Sequence, residues 1–289
     1  MSTLDTTYMG LALRNPVIAG SSTLTSTPDK ARRLEEAGAG AVVLRSIFEE
    51  QIRADVADMY DALGQGTTHT EAFEYLRADL PMQLGPEKYL GNLEAIKAAV
   101  EIPVIASVNC VTPDQWVSFA HKVESAGADG LEVNVYDVPT DVMTDGAGVE
   151  RRHMETVQAV CGEVSLPVAV KLSPYYSSLS HFGVNLAKTG VSALVLFNRF
   201  LQPDIDVDAI ELHSEINLSR PQDIRLPLRW IALLRDLVAC DLCLTTGVHD
   251  AAGVIKGLLV GANAVQACSA LYERGPDVVR EIVQGLQEW

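Results

Sequence analysis

Short apolar runs alternate with amphipathic segments along most of the chain. The runs are rich in valine, leucine, isoleucine and alanine and predict strands buried on both faces, at 16–21, 41–46, 104–109, 131–135, 168–172, 193–197, 242–246 and 264–267. Helical periodicity fills the gaps, at 29–37, 87–100, 114–126, 149–161, 179–188, 228–238, 251–259 and 277–287. Ahead of the first strand, residues 6–13 predict a small hairpin that turns at Gly10.

Eight strand–helix units are compatible with a doubly wound sheet or with a (β/α)8 barrel. Glycines at 38, 127, 190 and 261 each end a predicted helix just before a strand, and glycine suits the left-handed position of such an ending. A dinucleotide-binding sheet would carry Gly-x-Gly-x-x-Gly after an early strand, and none follows a strand here. We therefore predict an α/β fold, a (β/α)8 TIM barrel formed by residues 1–289 as a single domain.

Two stretches interrupt the regular spacing, 49–86 after the second predicted strand and 202–227 after the sixth. Both belong to the carboxyl face of the barrel, where barrel enzymes keep their active sites, so we expect lids or interfaces there. Prolines at 203, 221 and 227 predict that the second insertion is a shaped loop.

Composition and charge exclude several classes of function. A formal net charge of −16 disfavours a nucleic-acid groove or an anionic membrane surface, and no apolar run approaches the length of a membrane span. The amino terminus lacks the features of a signal peptide, and five scattered cysteines do not resemble a disulfide framework, so we expect a cytoplasmic protein. Cys240 and Cys243 form an isolated Cys-x-x-Cys pair, which favours packing over metal binding.

Lys171 ends the apolar run 168–172, at the edge where a parallel sheet opens into a ligand crevice. A lysine there is costly to desolvate unless an anion or an electron-rich group partners it. The alternative is a side chain that extends from the strand end into water.

Polar residues follow the other predicted strands. Thr246, Gly247 and Ser269 lie in the last two βα turns, which in barrels frequently bind a phosphate, although the two hydroxyls could instead cap helices. Asparagine amides at strand ends could bind the edge of a flat heterocycle or satisfy loop backbone; they are Asn109, Asn134 and Asn198.

These residues resemble the dihydroorotate dehydrogenase family of FMN-containing barrels, and in particular its bacterial "dihydroorotate dehydrogenase-like" branch. The similarity runs nearly end to end, through 6–11, 15–16, 131–134, 170–174, 196–199, 246–248 and 261–266. It implies a bound FMN, with Ser21 under the flavin, Asn134 at its pyrimidine edge and Lys171 near N1 and the C2 carbonyl. The residues implied to bind its phosphate are Thr246, Gly247, Cys268 and Ser269. The residues implied to make the remaining cofactor contacts are Arg45, Ser46, Asn109 and Asn198. A homodimer and a soluble electron acceptor are also implied.

The chain departs from the family pattern around the substrate. Arg45 replaces a second flavin-contacting lysine, Asp137 occupies the position of the catalytic base, and Pro139 replaces a substrate-binding asparagine. A pair of glycines is missing from 218–227. The catalytic candidates are therefore Lys171, Asp137 and Tyr136.

Several functions stay open at this point. Arg45, Asn134, Asn198 and Arg199 are the candidates for holding a small anionic substrate. The preferred function is oxidation of dihydroorotate to orotate in pyrimidine biosynthesis. The alternatives are an FMN oxidoreductase of another anionic substrate, a Schiff-base lyase that uses Lys171, and a non-catalytic flavin-binding protein.

Overall fold

The computed structural model describes residues 4–48, 85–110, 113–135, 139–199, 204–213 and 218–289. Most of the first predicted insertion lies outside these ranges. A short antiparallel hairpin of β1 (Thr6–Tyr8) and β2 (Leu11–Leu13) comes first and turns through Met9 and Gly10, as predicted.

Eight parallel strands follow and close into a ring, which confirms the predicted barrel. They are β3 (Val17–Ala19), β4 (Ala41–Val43), β6 (Val104–Cys110), β7 (Gly130–Val135), β8 (Val168–Leu172), β9 (Ala193–Leu196), β12 (Asp241–Leu244) and β13 (Ala264–Ala267). Each pairs in parallel with the next, and β13 pairs with β3 to complete the ring. A two-residue strand, β5 (Ile47–Phe48), extends the pairing along β6.

Helices cover the outside of the ring. They are α1 (Pro28–Glu36), α2 (Pro86–Ala99), α3 (Pro113–Ser125), α4 (Gly146–Glu163), α5 (Leu179–Leu186), α6 (Arg225–Leu234), α7 (Ala251–Val260), α8 (Ser269–Arg274) and α9 (Asp277–Glu288). The four glycines expected to end helices all have positive φ, at Gly38, Gly127, Gly190 and Gly261. None of the helices in the described ranges is both long and apolar enough to cross a membrane.

The second insertion is more regular than the sequence predicts. It contains an antiparallel hairpin, β10 (Asp204–Asp206) and β11 (Glu211–His213), followed by a 3-10 turn at Pro221–Ile224. The helix predicted over 228–238 begins earlier, at Arg225, and includes Pro227. Proline is tolerated in the first turn of a helix because its missing N–H has no helical partner there.

The core has an outer and an inner part. The outer part packs the helices against the strands, whereas the inner part fills the ring with small and β-branched side chains. Tyr8 and Met9 reach into the ring from the amino-terminal hairpin and close that end of the barrel. The Met9 N–H donates to Asp241 Oδ2 at 2.8 Å, which ties the hairpin to β12. The opposite end of the barrel, where the strands finish, is available for a functional site.

Candidate active site

Lys171 lies near the carboxyl end of β8 and is only 9% exposed, so its amine does not extend into bulk water. Its Nζ lies 3.5 Å from Glu132 Oε1 and donates to Gln266 Oε1 at 3.3 Å. Gln266 Nε2 in turn donates a short hydrogen bond to Glu132 Oε2. Glu132 and Gln266 are each 1% exposed. The barrel therefore holds a closed triangle of a cation, an anion and an amide, contributed by three strands.

A second group of polar side chains lies at the ends of neighbouring strands. Asn134 Nδ2 donates to Ser107 Oγ at 2.9 Å and to Ser46 Oγ at 3.2 Å. Ser46 Oγ is in turn 2.8 Å from Ser107 Oγ and 3.1 Å from Ser21 Oγ. Tyr89 supports this group from α2, since its hydroxyl accepts from the Ser107 N–H at 2.9 Å. Burial raises the pKa of Tyr89 far above its ordinary value, so its hydroxyl stays protonated.

The register of β7 explains why the two groups meet. Glu132 and Asn134 are two residues apart and point to the same face of the strand, into the ring. Asn134 lies opposite Asn109 on β6 and opposite Lys171 on β8. Asn109 is 8% exposed. The structure thus brings together Lys171, Asn134, Asn109, Ser21 and Ser46 at one end of the barrel.

The two turns expected to bind phosphate are joined by a residue that sequence reasoning missed, Ser219. Its Oγ accepts from the Gly247 N–H at 3.1 Å and donates to Ser269 Oγ at 2.8 Å, while its own N–H donates to Ser269 Oγ at 2.9 Å. Neither Thr246 nor Ser269 caps a helix: Asp250 caps α7, and Ser269 is already the first residue of α8. The Gly247 N–H and the Ser269 hydroxyl are therefore engaged within the protein.

Two further features fix the first of these turns. Thr246 has φ +76°, a left-handed conformation that is unfavourable for a β-branched residue, and its hydroxyl donates to Phe197 O at 3.0 Å. His249 does more than precede α7, because its Nε2 lies 2.7 Å from Ser219 O and the side chain is buried. The turn after β12 is held from both sides.

A cavity of about 360 Å³ opens beside these turns, large enough for a small ligand. Phe197, Asn198, Arg199, Asp223 and Thr246 are among its lining residues. Arg199 Nη1 donates to Asp223 Oδ2 at 2.7 Å, so the predicted substrate arginine is already paired within the protein. The Arg220 N–H and Arg199 together hold the pKa of Asp223 below its usual range.

The remaining predicted residues are placed as follows. Arg45 is 9% exposed and lies directly before Ser46. Cys268 is partly buried next to Ser21 O, and burial raises the pKa of its thiol, although Lys171 lowers it in part. The two catalytic candidates Tyr136 and Asp137 lie outside the described residues. Pro139 is exposed.

The two cysteines of the Cys-x-x-Cys pair lie in different parts of the core. Cys243 lies within the inner core, whereas Cys240 packs against the outer one. In the described part of the chain, no three histidine, cysteine or acidic side chains are grouped as a metal site would need.

Glu132 and Gln266 were also missed by sequence reasoning. Glu132 stands in 130–135, where Asn134 is the other polar residue, and Gln266 stands in the otherwise apolar run 264–267. A charged or amide side chain in a strand buried on both faces needs a partner, and the two-residue offset of Glu132 from Asn134 already indicated a common face.

Comparison with known proteins agrees with this geometry. The family model described as dihydroorotate dehydrogenase matches residues 3–289. The catalytic subunit of dihydroorotate dehydrogenase B (NAD+) from Methanothermobacter thermautotrophicus is 27% identical over 300 residues, covering 98% of this chain and 92% of the relative. The corresponding subunit from Pyrococcus horikoshii is 27% identical over 294 residues, covering 99% and 92%.

A further relative comes from Aeropyrum pernix and is described as a putative dihydroorotate dehydrogenase A (fumarate). It is 28% identical over 295 residues, which cover 99% of this chain and 92% of the relative. The match of the family model over almost the whole length shows that the chain belongs to the dihydroorotate dehydrogenase family of oxidoreductases.

Proposed function

We propose that the chain is an FMN-dependent dehydrogenase that acts on a CH–CH bond of a small anionic substrate, with dihydroorotate as the first substrate to test. Residues 1–289 would form one FMN-binding domain. The observation that carries this proposal is the buried ammonium of Lys171 at the carboxyl end of the barrel, beside the amide and hydroxyl groups around Asn134.

The side chains at this end fit a flavin. Lys171 offers a positive charge, and Asn134, Ser21 and Ser46 offer the donors and acceptors that the edge of a pyrimidine ring requires. A bound flavin would supply the two-electron acceptor that no amino-acid side chain provides. Lys171 would stabilise negative charge that develops next to it on reduction.

The phosphate of FMN would lie by the turns after β12 and β13. Ser219 bridges these turns and stands in 218–227, where a glycine pair is missing. The Gly247 N–H and the Ser219 hydroxyl already donate within this bridge, so we assign to the phosphate the Ser269 hydroxyl, which accepts from Ser219 and keeps its own proton, together with the Cys268 region. We keep Thr246 as a residue that shapes the turn.

The catalytic base is assigned to Asp137 in the segment after β7, and Tyr136 is assigned as an acid or a substrate clamp. A carboxylate in this place could accept a proton from the substrate carbon while a hydride leaves it. Arg45 and Asn198 would hold the substrate anion, and Arg199 would join them only if it released Asp223.

A second candidate function is oxidation of a different anionic substrate by the same FMN barrel. The Arg199–Asp223 pair at 2.7 Å favours it, together with Pro139 in place of a substrate asparagine. A Schiff-base lyase is less well supported. The Lys171 amine lies against Glu132 and donates to Gln266, so it would have to leave both partners to attack a carbonyl.

Location, acceptor and assembly are further parts of the proposal. The described cysteines Cys161, Cys240, Cys243 and Cys268 are free thiols, which supports a reducing cytoplasm. The names of the relatives carry NAD+ and fumarate, so these are the two soluble acceptors to assay first. A homodimer would be tested by light scattering after size-exclusion chromatography.

The deciding experiment starts from an absorbance spectrum of the purified full-length chain, with chromatography of the released cofactor. We expect a flavin spectrum, release of FMN, and bleaching on anaerobic addition of dihydroorotate. Lys171→Met should lose the bleaching, whereas the exposed control Lys188→Met should keep it. Bound FMN that only another donor reduces would favour the second candidate. A chain that neither contains nor takes up FMN would contradict both.

A further inference from the structure

Glu132 has no role among the residues assigned above, yet it is the most deeply buried carboxylate near the site. It lies in the middle of β7 and is 1% exposed. Within the described ranges, Lys171 is the residue whose cationic group lies within 4 Å of it. A buried carboxylate of this kind is retained at a cost unless a charge or a hydrogen-bond network compensates it.

The contacts of Glu132 are arranged around Lys171 on two sides. Its Oε1 faces the ammonium at 3.5 Å, and its Oε2 accepts from Gln266, whose own carbonyl oxygen accepts from the same ammonium at 3.3 Å. The amide of Gln266 therefore cannot rotate without breaking both contacts. The position of the Lys171 amine is set by two side chains from different strands.

The charges of Glu132 and Lys171 also act on groups at the centre of the barrel. Burial raises the pKa of the Cys243 thiol, Glu132 raises it further, and Lys171 lowers it. Tyr8, below them, has its pKa raised by burial and also by Glu132. The negative charge of Glu132 thus opposes the positive charge of Lys171 inside the barrel.

We propose that Glu132 is a positioning residue that, with Gln266, anchors the ammonium of Lys171 and weakens its positive field on a flavin bound above it. This inference rests on the proposed function. A flavin bound there would be harder to reduce in the wild type than Lys171 alone would make it, because a negative charge lies behind the positive one.

The test compares Glu132→Gln with Glu132→Asp and with the exposed control Glu155→Gln, all in the full-length chain as purified. The first readout is the midpoint potential of the bound flavin, measured by equilibration with a reference dye. We expect a more positive potential in Glu132→Gln, values near wild type in Glu132→Asp, and no change in Glu155→Gln. An unchanged potential in Glu132→Gln would overturn the field effect.

The second readout needs no flavin. The acylation rate of the Lys171 amine at neutral pH is followed by mass spectrometry of the labelled peptide. Without the carboxylate, the Lys171 amine loses one of the two partners that hold it in place, so Glu132→Gln should be acylated severalfold faster than wild type. Equal rates in Glu132→Gln and wild type would overturn the anchoring role.

The two readouts separate the possible failures. A chain without flavin contradicts the proposed function, while the acylation rate still decides whether Glu132 anchors Lys171. Should Glu132→Gln not fold, Gln266→Met removes the bridging amide and keeps both charges. It should accelerate acylation and leave the flavin potential close to the wild-type value. Acylation at the wild-type rate in this variant would count against the inference.

Discussion

Replacing Gly247 by alanine tests whether the insertion after β9 is packed onto the proposed phosphate turn. Gly247 has φ +77°, and a Cβ added there would lie 2.9 Å from Ile224 Cα and closer still to Ile224 N. Gly127→Ala is the matched control, because Gly127 has φ +85° and a Cβ there would meet nothing within 4 Å. Both variants carry the cost of a left-handed L-residue, about 1–2 kcal/mol.

Only Gly247→Ala also forces the 3-10 turn away, which adds about 1–3 kcal/mol by comparison with overpacked cores. For a chain of this size the addition corresponds to a melting temperature roughly 2–12 °C below that of Gly127→Ala. Thermal unfolding followed by circular dichroism measures the difference. FMN affinity should fall in Gly247→Ala alone, because the turn also carries the hydrogen bond to Ser219. Equal melting temperatures in the two variants would refute the packing argument.

Three further changes have defined outcomes in thermal or denaturant unfolding. Lys171→Met should destabilise the protein by about 3–5 kcal/mol, because Glu132 is left buried without its cation. Adding Glu132→Gln to this variant should recover much of the lost stability. No recovery would mean that Lys171 and Glu132 are not coupled. Ser219→Ala should lower the stability by about 1–3 kcal/mol, because it leaves the buried Gly247 N–H without its acceptor. Ser125→Ala, at an exposed position, should lower it by almost nothing. Equal losses of stability in the two variants would contradict the bridging role of Ser219. Burial raises the pKa of Asp241. A carboxyl whose pKa is raised in the folded state stabilises that state only at acidic pH and loses this contribution as the pH rises through the folded-state pKa. Asp241→Asn should therefore raise the melting temperature at pH 7 by an amount that shrinks on acidification, and a gain that does not depend on pH would contradict this.

The barrel was predictable because its strands are buried on both faces and its helices end in glycine. Apolar runs such as 168–172 have this character in a parallel sheet and in few other settings, and Gly190 and Gly261 do adopt the left-handed conformation. The start of α6 was not predictable from the same signals. In the sequence Pro227 favours a loop, whereas in the structure the first turn of a helix accepts it.

The site was predictable in part. Lys171 and Asn134 are each next to last in a strand, so their place near the carboxyl edge follows from the fold. Ser219 could not be found in this way, because its partners Gly247 and Ser269 lie 28 and 50 residues further along the chain. Neither could the pairing of Arg199 with Asp223, since the course of the insertion decides which side chains meet across the cavity.

Anaerobic titration of the purified protein with dihydroorotate, monitored by the flavin absorbance, tests the central claim most directly. The proposed function predicts that bound FMN is bleached by dihydroorotate in wild type and in Lys188→Met but not in Lys171→Met. A protein that holds FMN and is bleached equally with and without the Lys171 ammonium would contradict the role given to that charge. A protein with no FMN would contradict the proposed function itself.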